Sequence, residues 1–241
     1  MPSARQHYDQ VLSDVYSWMQ GGFENSVERN LAFFRAHGIA PRGSGTAFDL
    51  GAGCGFQSIP LARLGFAVTA VDFDRKLLTE LVENMGADAV STVEDDLLHF
   101  DRYTEGGIEL VVCMTDTLLH LESPHDVRRL FGKIFAALDE GGRFVATFRD
   151  LSRELVELDR FIPVRSDDST IFTCFLEYEP ETVKVHDLVY RRKEAGWQLS
   201  KSYYRKLRLS GDWVVDELAA AGFEDVDVEV TQGLVTIVAT K

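Results

Sequence analysis

The chain has 241 residues, 45% hydrophobic and 27% charged, with a formal net charge of −14. That length suits one large α/β domain with a full core. The acidity argues against nucleic acid as the main partner, because phosphate repels an acidic surface. No apolar run approaches the length of a membrane span. The first ten residues are polar and lack the apolar stretch of a signal peptide. Three widely spaced cysteines, Cys54, Cys113 and Cys174, give neither a disulfide framework nor a zinc spacing. The simplest reading is a cytoplasmic protein with reduced thiols.

In chain order, residues 7–19 and 26–37 read as two amphipathic helices joined at Gly21-Gly22. Short apolar runs then alternate with amphipathic ones. Strands are expected at 46–50, 67–71, 89–93, 108–114 and 143–148, with helices at 57–64, 75–84 and 123–138 between them. Ser123 suits an N-cap, with Pro124 at the first helical position. Gly86 and Gly141-Gly142 read as helix stops. Near-continuous apolar strands separated by helices imply a parallel sheet covered on both faces.

The pattern changes after Asp150. Residues 170–178, 182–191 and 198–208 are rich in β-branched and aromatic types and read as an antiparallel meander. A helix at 212–221 and two strands, 225–230 and 234–240, complete the chain. No linker divides it. The expected organisation is a single domain, 1–241, with an N-terminal helical lid (1–40), a cofactor-binding core (46–150), a β insertion (168–209) and a final helix with two strands (210–241). The basic run 183–209 is either a solvated sheet face or a rim that attracts an anion.

The most informative stretch is Asp49-Leu50-Gly51-Ala52-Gly53-Cys54-Gly55-Phe56. A strand, a glycine-dense loop and a helix start together form a cofactor cradle. Phe56 stands where a dinucleotide fingerprint needs its third glycine. Asp72 ends the second strand, where a carboxylate can accept from both ribose hydroxyls. Asp95-Asp96-Leu97 follows the third. There a carboxylate can accept from an adenine amino group, and the next N–H can donate to the ring. A nucleoside without a bulky pyrophosphate suits this set.

These residues resemble the class I S-adenosylmethionine-dependent methyltransferases. The likeness runs from about Phe48 to Phe148 and resumes at the last helix and strands. It implies a Rossmann-like three-layer α/β sandwich, whose mostly parallel seven-stranded sheet takes its last strand antiparallel. It also implies S-adenosyl-L-methionine as cofactor and S-adenosyl-L-homocysteine as product. The cofactor residues expected are Asp49, Gly51, Ala52, Gly53, Cys54, Gly55, Gln57, Asp72, Phe73, Asp95, Asp96, Leu97, Met114 and Thr115.

Methyl transfer from a sulfonium is an in-line displacement, so the enzyme mainly positions the acceptor and excludes water. His120 and Asp116 leave strand four where the methyl should lie. His120 is a candidate base or a loop-packing residue, and Asp116 a candidate amine ligand or a turn residue. Tyr8, Tyr16, Trp18 and Phe23 form either a packed face or a lid. Relatives with an insertion after strand five, such as deoxysugar-amine and glycine-type N-methyltransferases, use it for the acceptor pocket or a subunit contact. Tyr16, Trp18, Arg149, His186 and Tyr190 are therefore the candidate acceptor residues, with Tyr178 and Tyr204 beside them. His99, His120 and His125 lack a metal spacing. The expected activity is methyl transfer to nitrogen or oxygen of a small molecule, without nucleic acid or membrane and with a possible homodimer through the insertion. Two alternatives stand beside it, a silent adenosylmethionine binder and a nicotinamide-dependent oxidoreductase.

Overall fold

The computed structural model describes residues 4–241. Seven strands form the main sheet: β1 (Thr46–Leu50), β2 (Ala67–Asp72), β3 (Val90–Glu94), β4 (Ile108–Cys113), β5 (Leu138–Arg149), β10 (Asp225–Thr231) and β11 (Leu234–Thr240). Their spatial order is β10-β11-β5-β4-β1-β2-β3. Strands β1 to β5 pair in parallel, while β11 runs antiparallel to β5. Strand order therefore reverses between β1 and β4. Ligands of open α/β sheets bind at such a switch point, beyond the carboxyl ends of the strands.

Each face of the sheet is covered, as the apolar strands require. Phe48, Leu50, Val111 and Phe144 pack with Val127, Phe131 and Ile134 of α6 (Pro124–Ala137) and with Val214 and Leu218 of α7 (Gly211–Ala221). On the other face Ala47, Leu110, Val112 and Val145 meet Phe34 of α3 (Phe23–Ala36), Leu61 of α4 (Ser58–Arg63) and Leu78 and Leu81 of α5 (Arg75–Asn84). The caps are local. Asp74 accepts from the backbone N–H groups of Lys76 and Leu77, and Ser123 accepts from that of Asp126.

The insertion is a second sheet of four antiparallel strands, β6 (Phe161–Ser166), β7 (Thr170–Tyr178), β8 (Thr182–Lys193) and β9 (Gly196–Leu207). Strand β6 adds to the three expected from sequence. Its residues are mostly exposed, and Pro163 beside a register shift against β7 blurs its alternation. The first predicted helix is also corrected. Residues 4–19 form α1 (Ala4–His7), a π-helical turn (Tyr8–Leu12), a 3₁₀ turn (Ser13–Val15) and α2 (Tyr16–Met19). The changes of winding let Val11, Leu12 and Val15 bury against Phe172 and Val189 while Tyr8 and Tyr16 pack at the edge of that cluster and reach the cavity. Helix α3 starts at Phe23, since Ser26 donates back to the Gly22 carbonyl (2.9 Å) as an interior residue. Strand β5 starts at Leu138, which pairs with Ile108 before the register shifts.

Among the described residues no helix is long and apolar enough to cross a membrane, and no group of three or more His, Cys, Asp or Glu is placed to hold a metal ion.

Candidate active site

A cavity of about 810 Å³ opens at the switch point. Its walls come from the loops after β1 (Gly51, Gly53), β2 (Asp72, Phe73), β3 (Asp95, Asp96, Leu97) and β4 (Thr115, Thr117, His120). The N-terminal segment closes one side with Arg5, Tyr8 and Tyr16, and the second sheet closes another with Thr182, Lys206 and Leu207. The volume is in the range of a small-molecule site.

The first loop has little room for side chains. Gly51 has φ +76°, and a Cβ there would lie 2.2 Å from Thr117 Cγ2. Gly55 has φ +91°, and its Cβ would meet Leu81 Cγ at 2.6 Å. Only glycine satisfies both demands. Asp72 ties the loop to β2, accepting from Gly53 N (2.8 Å) through one oxygen and from Asp74 N (2.7 Å) through the other. Burial raises its carboxyl to about 6 despite these bonds. Asp95 accepts from Tyr103 (2.8 Å), Asp96 N (2.7 Å) and the His99 ring (3.0 Å). Asp96 caps the following 3₁₀ turn through Leu98 N at 2.8 Å.

After β4 the backbone takes an unusual course. Thr115 and Asp116 both lie in the left-handed region, at φ 59° and 68°. Non-glycine residues hold that conformation only when their surroundings impose it. Here Thr147 accepts from both N–H groups, through Oγ1 (2.9 Å) and its carbonyl (3.0 Å). Asp116 accepts from Arg149 N, Arg149 Nη1 and Lys206 Nζ, each at 2.7 Å. Burial alone would raise its carboxyl, but Lys206 and Arg149 hold it well below the usual range.

His120 follows on a 3₁₀ turn (Thr117–His120), stacked on Tyr204 with ring centres 5.2 Å apart and planes 8° apart. Tyr8 meets it edge-on at 5.8 Å. Burial, helped by the Lys206 charge, lowers His120 to about 3, so the ring is neutral near pH 7. Its Nδ1 is buried without a hydrogen-bond partner. His7 also packs on Tyr204, with ring centres 4.5 Å apart. His7 Nε2 meets Asp187 Oδ2 at 2.8 Å, and Cys174 donates to Asp187 Oδ1 at 2.9 Å. His7 and Asp187 are both fully enclosed.

Ten of the expected residues line the cavity: Gly51, Gly53, Asp72, Phe73, Asp95, Asp96, Leu97, Thr115, Tyr16 and His120. Others sit behind it. Asp49 accepts from Ser58 (2.6 Å) in the interior, and burial raises it to about 7. Gln57 donates to Thr115 Oγ1 at 3.1 Å, so it bears on the wall indirectly. Ala52, Cys54, Gly55 and Met114 are enclosed by the core. Asp116 and Arg149 back the wall through Lys206.

Trp18, His186 and Tyr190 are placed away from the cavity. Trp18 donates to Asp167 at 2.6 Å, beneath Arg165. Strand period settles the other two. On β8 the odd positions Val183, Val185, Asp187 and Val189 face inward, leaving His186 and Tyr190 on the outer face. There His186 packs with Phe175 and Tyr203 and bonds Glu177 at 2.9 Å. The inward residues of β9 are Tyr204 and Lys206, both buried. Lys206 escaped the sequence reading because a lysine in a basic run reads as solvated. The signal that finds it is its alternation with Tyr204 on the apolar face.

Comparisons with known proteins agree with this geometry. Residues 47–142 match the family described as methyltransferase domain. A glycine/sarcosine N-methyltransferase of Aphanothece halophytica is 25% identical over 78% of this chain and 69% of its own length. A glycine/sarcosine N-methyltransferase of Halorhodospira halochloris is 26% identical over 46% of this chain, a region spanning only 42% of its own length. The solved structure of CalS10 with S-adenosylmethionine, an amino pentose methyltransferase of Micromonospora echinaspora, superposes with a TM-score of 0.70 at 16% identity. That superposition covers 94% of this chain and 95% of CalS10.

Proposed function

We propose that this chain, which matches the methyltransferase-domain family over residues 47–142, is a class I S-adenosylmethionine-dependent methyltransferase that methylates a nitrogen of a small, amine-bearing acceptor. Its cofactor is S-adenosyl-L-methionine, which supplies an electrophilic methyl group, and its product is S-adenosyl-L-homocysteine. The cavity fits that cofactor on its own chemistry. A Cβ-free loop admits close approach, and the surrounding acids and tyrosines suit hydroxyls and a cation.

In this reading Gly51 and Gly53 let the backbone approach the cofactor. Each oxygen of Asp72 has a lone pair beyond the backbone N–H it accepts, available to a ribose hydroxyl. Asp95, Asp96 and Leu97 frame the adenine end. The segment 4–19 acts as a lid, with Tyr8 and Tyr16 excluding water. The second sheet's outer face is available for a homodimer, and the acidic surface favours a metabolite over nucleic acid in a cytoplasmic setting.

The observation that carries the reading is His120, a neutral imidazole on the cavity wall just beyond β4. A nitrogen lowered to about 3 is too weak a base to deprotonate a hydroxyl. The unprotonated nitrogen of a neutral imidazole can still accept from an amine N–H. His120 thus orients the amine so that its lone pair faces the methyl carbon. The N–C bond forms as the C–S bond breaks, sulfur keeps the electron pair, and the methylated ammonium loses its proton to solvent. The relatives named for glycine and sarcosine N-methylation lend the nitrogen assignment further support.

Calorimetry with S-adenosylmethionine and NAD, followed by homocysteine-product assays across primary and secondary amines, tests the proposal. The expected result is cofactor binding without NAD binding, turnover with an amine, and a kcat roughly hundredfold lower in His120→Ala with cofactor affinity intact. Binding without turnover of any amine would leave a silent binder. Full kcat in His120→Ala would remove the residue from the chemistry.

A further inference from the structure

Lys206 is a cation enclosed at the acceptor end of the cavity. It is 8% exposed and lines the wall. A buried ammonium is costly unless paired and hydrogen-bonded. Asp116 Oδ2 accepts from it, yet the same carboxylate also serves the Arg149 guanidinium. One negative charge answers two positive ones, and the cluster keeps a surplus charge of plus one.

Among the described residues no second acid is paired with Lys206 or Arg149. His120 is neutral. Asp187 is occupied by His7 and Cys174. Of the other acids lining the cavity, Asp126 pairs with Arg129 (3.0 Å) and bonds Ser123, and Glu122 forms no ion pair with Lys206. An ammonium has three N–H donors. Among the described residues Asp116 takes one, and the Tyr204 ring faces the group at 5.7 Å. Donors therefore remain on the cavity side for an anion.

We propose that Lys206, backed by the Asp116–Arg149 pair, anchors a carboxylate of the acceptor and so restricts this enzyme to amino acid-like amines. The inference rests on the methyl-transfer reading above and names the substrate class for that site. Geometry also limits the acceptor's size. His120 and Lys206 lie 5.2 Å and 5.7 Å from the centre of the same Tyr204 ring, so they are no farther apart than the sum of those distances, and a small molecule can reach both. Arg149, two-thirds exposed, holds Asp116 from outside, which leaves the Lys206 side of that carboxylate toward the ligand. The overall acidity of the chain makes a retained local positive charge the more telling.

The test uses the full chain with glycine, sarcosine and β-alanine as probes, each against the amine in which a hydroxymethyl group replaces the carboxylate. Binding is read by calorimetry on protein loaded with S-adenosylhomocysteine, and turnover by initial rates with S-adenosylmethionine. Wild-type protein should bind and methylate acids and pass over the matched alcohols. Lys206→Met should raise KM for the acids by roughly tenfold to a hundredfold, the range of a lost charged hydrogen bond. Lys206→Arg should recover part of it, and the Kd for S-adenosylmethionine should stay the same in both. If the alcohols serve as well as the acids, or no carboxylate binds, the proposal is overturned on wild-type protein alone, whatever the variants do. A Kd for S-adenosylmethionine that rises in Lys206→Met would instead make Lys206 the anchor of the cofactor's own carboxylate, and would also overturn it. Loss of the broader reading looks different, since wild-type protein would then bind no S-adenosylmethionine, or bind it and methylate none of the amines, acid or alcohol.

Discussion

At the cofactor end of the cavity the walls are largely backbone: Gly51, Gly53 and the turns after β2 and β3, all supplied within residues 49–98. At the acceptor end they are side chains from distant parts of the chain, with Tyr8 near the start, His120 in the middle and Lys206 near the end. A site made of backbone tolerates changes of side chain but not the addition of a Cβ. A site made of side chains depends on the long-range pairs that hold its segments together. The His7–Asp187 contact joins residues 180 positions apart, and its two groups are fully enclosed.

The largest effect should come from breaking that contact. His7→Ala leaves the buried Asp187 carboxyl with only the Cys174 thiol, and stranding a buried hydrogen-bonding group costs about 3 kcal/mol, or more where it is charged. Urea denaturation should show the loss, and hydrogen exchange should place the opening in residues 4–19. Adding Asp187→Asn should return part of the stability, because the orphaned charge goes with it. A cost near zero for His7→Ala would break the comparison, since the acceptor end would then stand without its long-range tie.

Next in size is Gly51→Ala. The added Cβ meets Thr117 at 2.2 Å, and alanine dislikes φ +76°. Strain and collision together should cost about 3 kcal/mol and weaken cofactor affinity, as thermal unfolding and calorimetry would show. Thr117→Ala in the same chain should relieve the collision but not the backbone strain, so rescue should be partial. Complete rescue would mean that crowding alone makes glycine necessary here.

This contrast also explains what could be read from the sequence. That the glycines and acids proposed for the cofactor gather at one end of the cavity was legible because they are local. Glycines flank one strand end, and acids follow the next two, so order along the chain is order in space. The parallel core and the antiparallel last strand followed from the same regularity and the family likeness. The acceptor end was legible only in part. Residues 170–207 were correctly read as strands, but which face of β8 looks inward depends on how the second sheet docks. His186 and Tyr190 were chosen on chemistry, and their parity turned them outward. Asp187, one position away, carries the contact. His7 was hidden for a related reason, since a lone histidine in a polar N-terminus gives no hint of a partner 180 residues later.

The smallest predicted effect concerns the one place where the backbone-built end relies on buried acids. Asp49 is raised by burial from 3.8 to about 7, against the hydrogen bond from Ser58, and Asp72 to about 6. A raised carboxyl means that the folded state keeps a proton which the unfolded chain has already released. The stabilisation is fully present below the unfolded value of 3.8 and is lost as pH rises through about 7 for Asp49 and about 6 for Asp72. At roughly 1.4 kcal/mol per unit, moving the cofactor-free protein from about pH 5.5 to about pH 8 should cost about 2 kcal/mol through Asp49, with a smaller share from Asp72. Asn at position 49 still offers Ser58 an acceptor and has no proton to lose. Urea denaturation at the two pH values should therefore show a fall in stability for the wild-type chain that Asp49→Asn mostly removes. An equal fall in both chains would place the titrating group elsewhere, and the loop's hold on β1 would then be independent of charge.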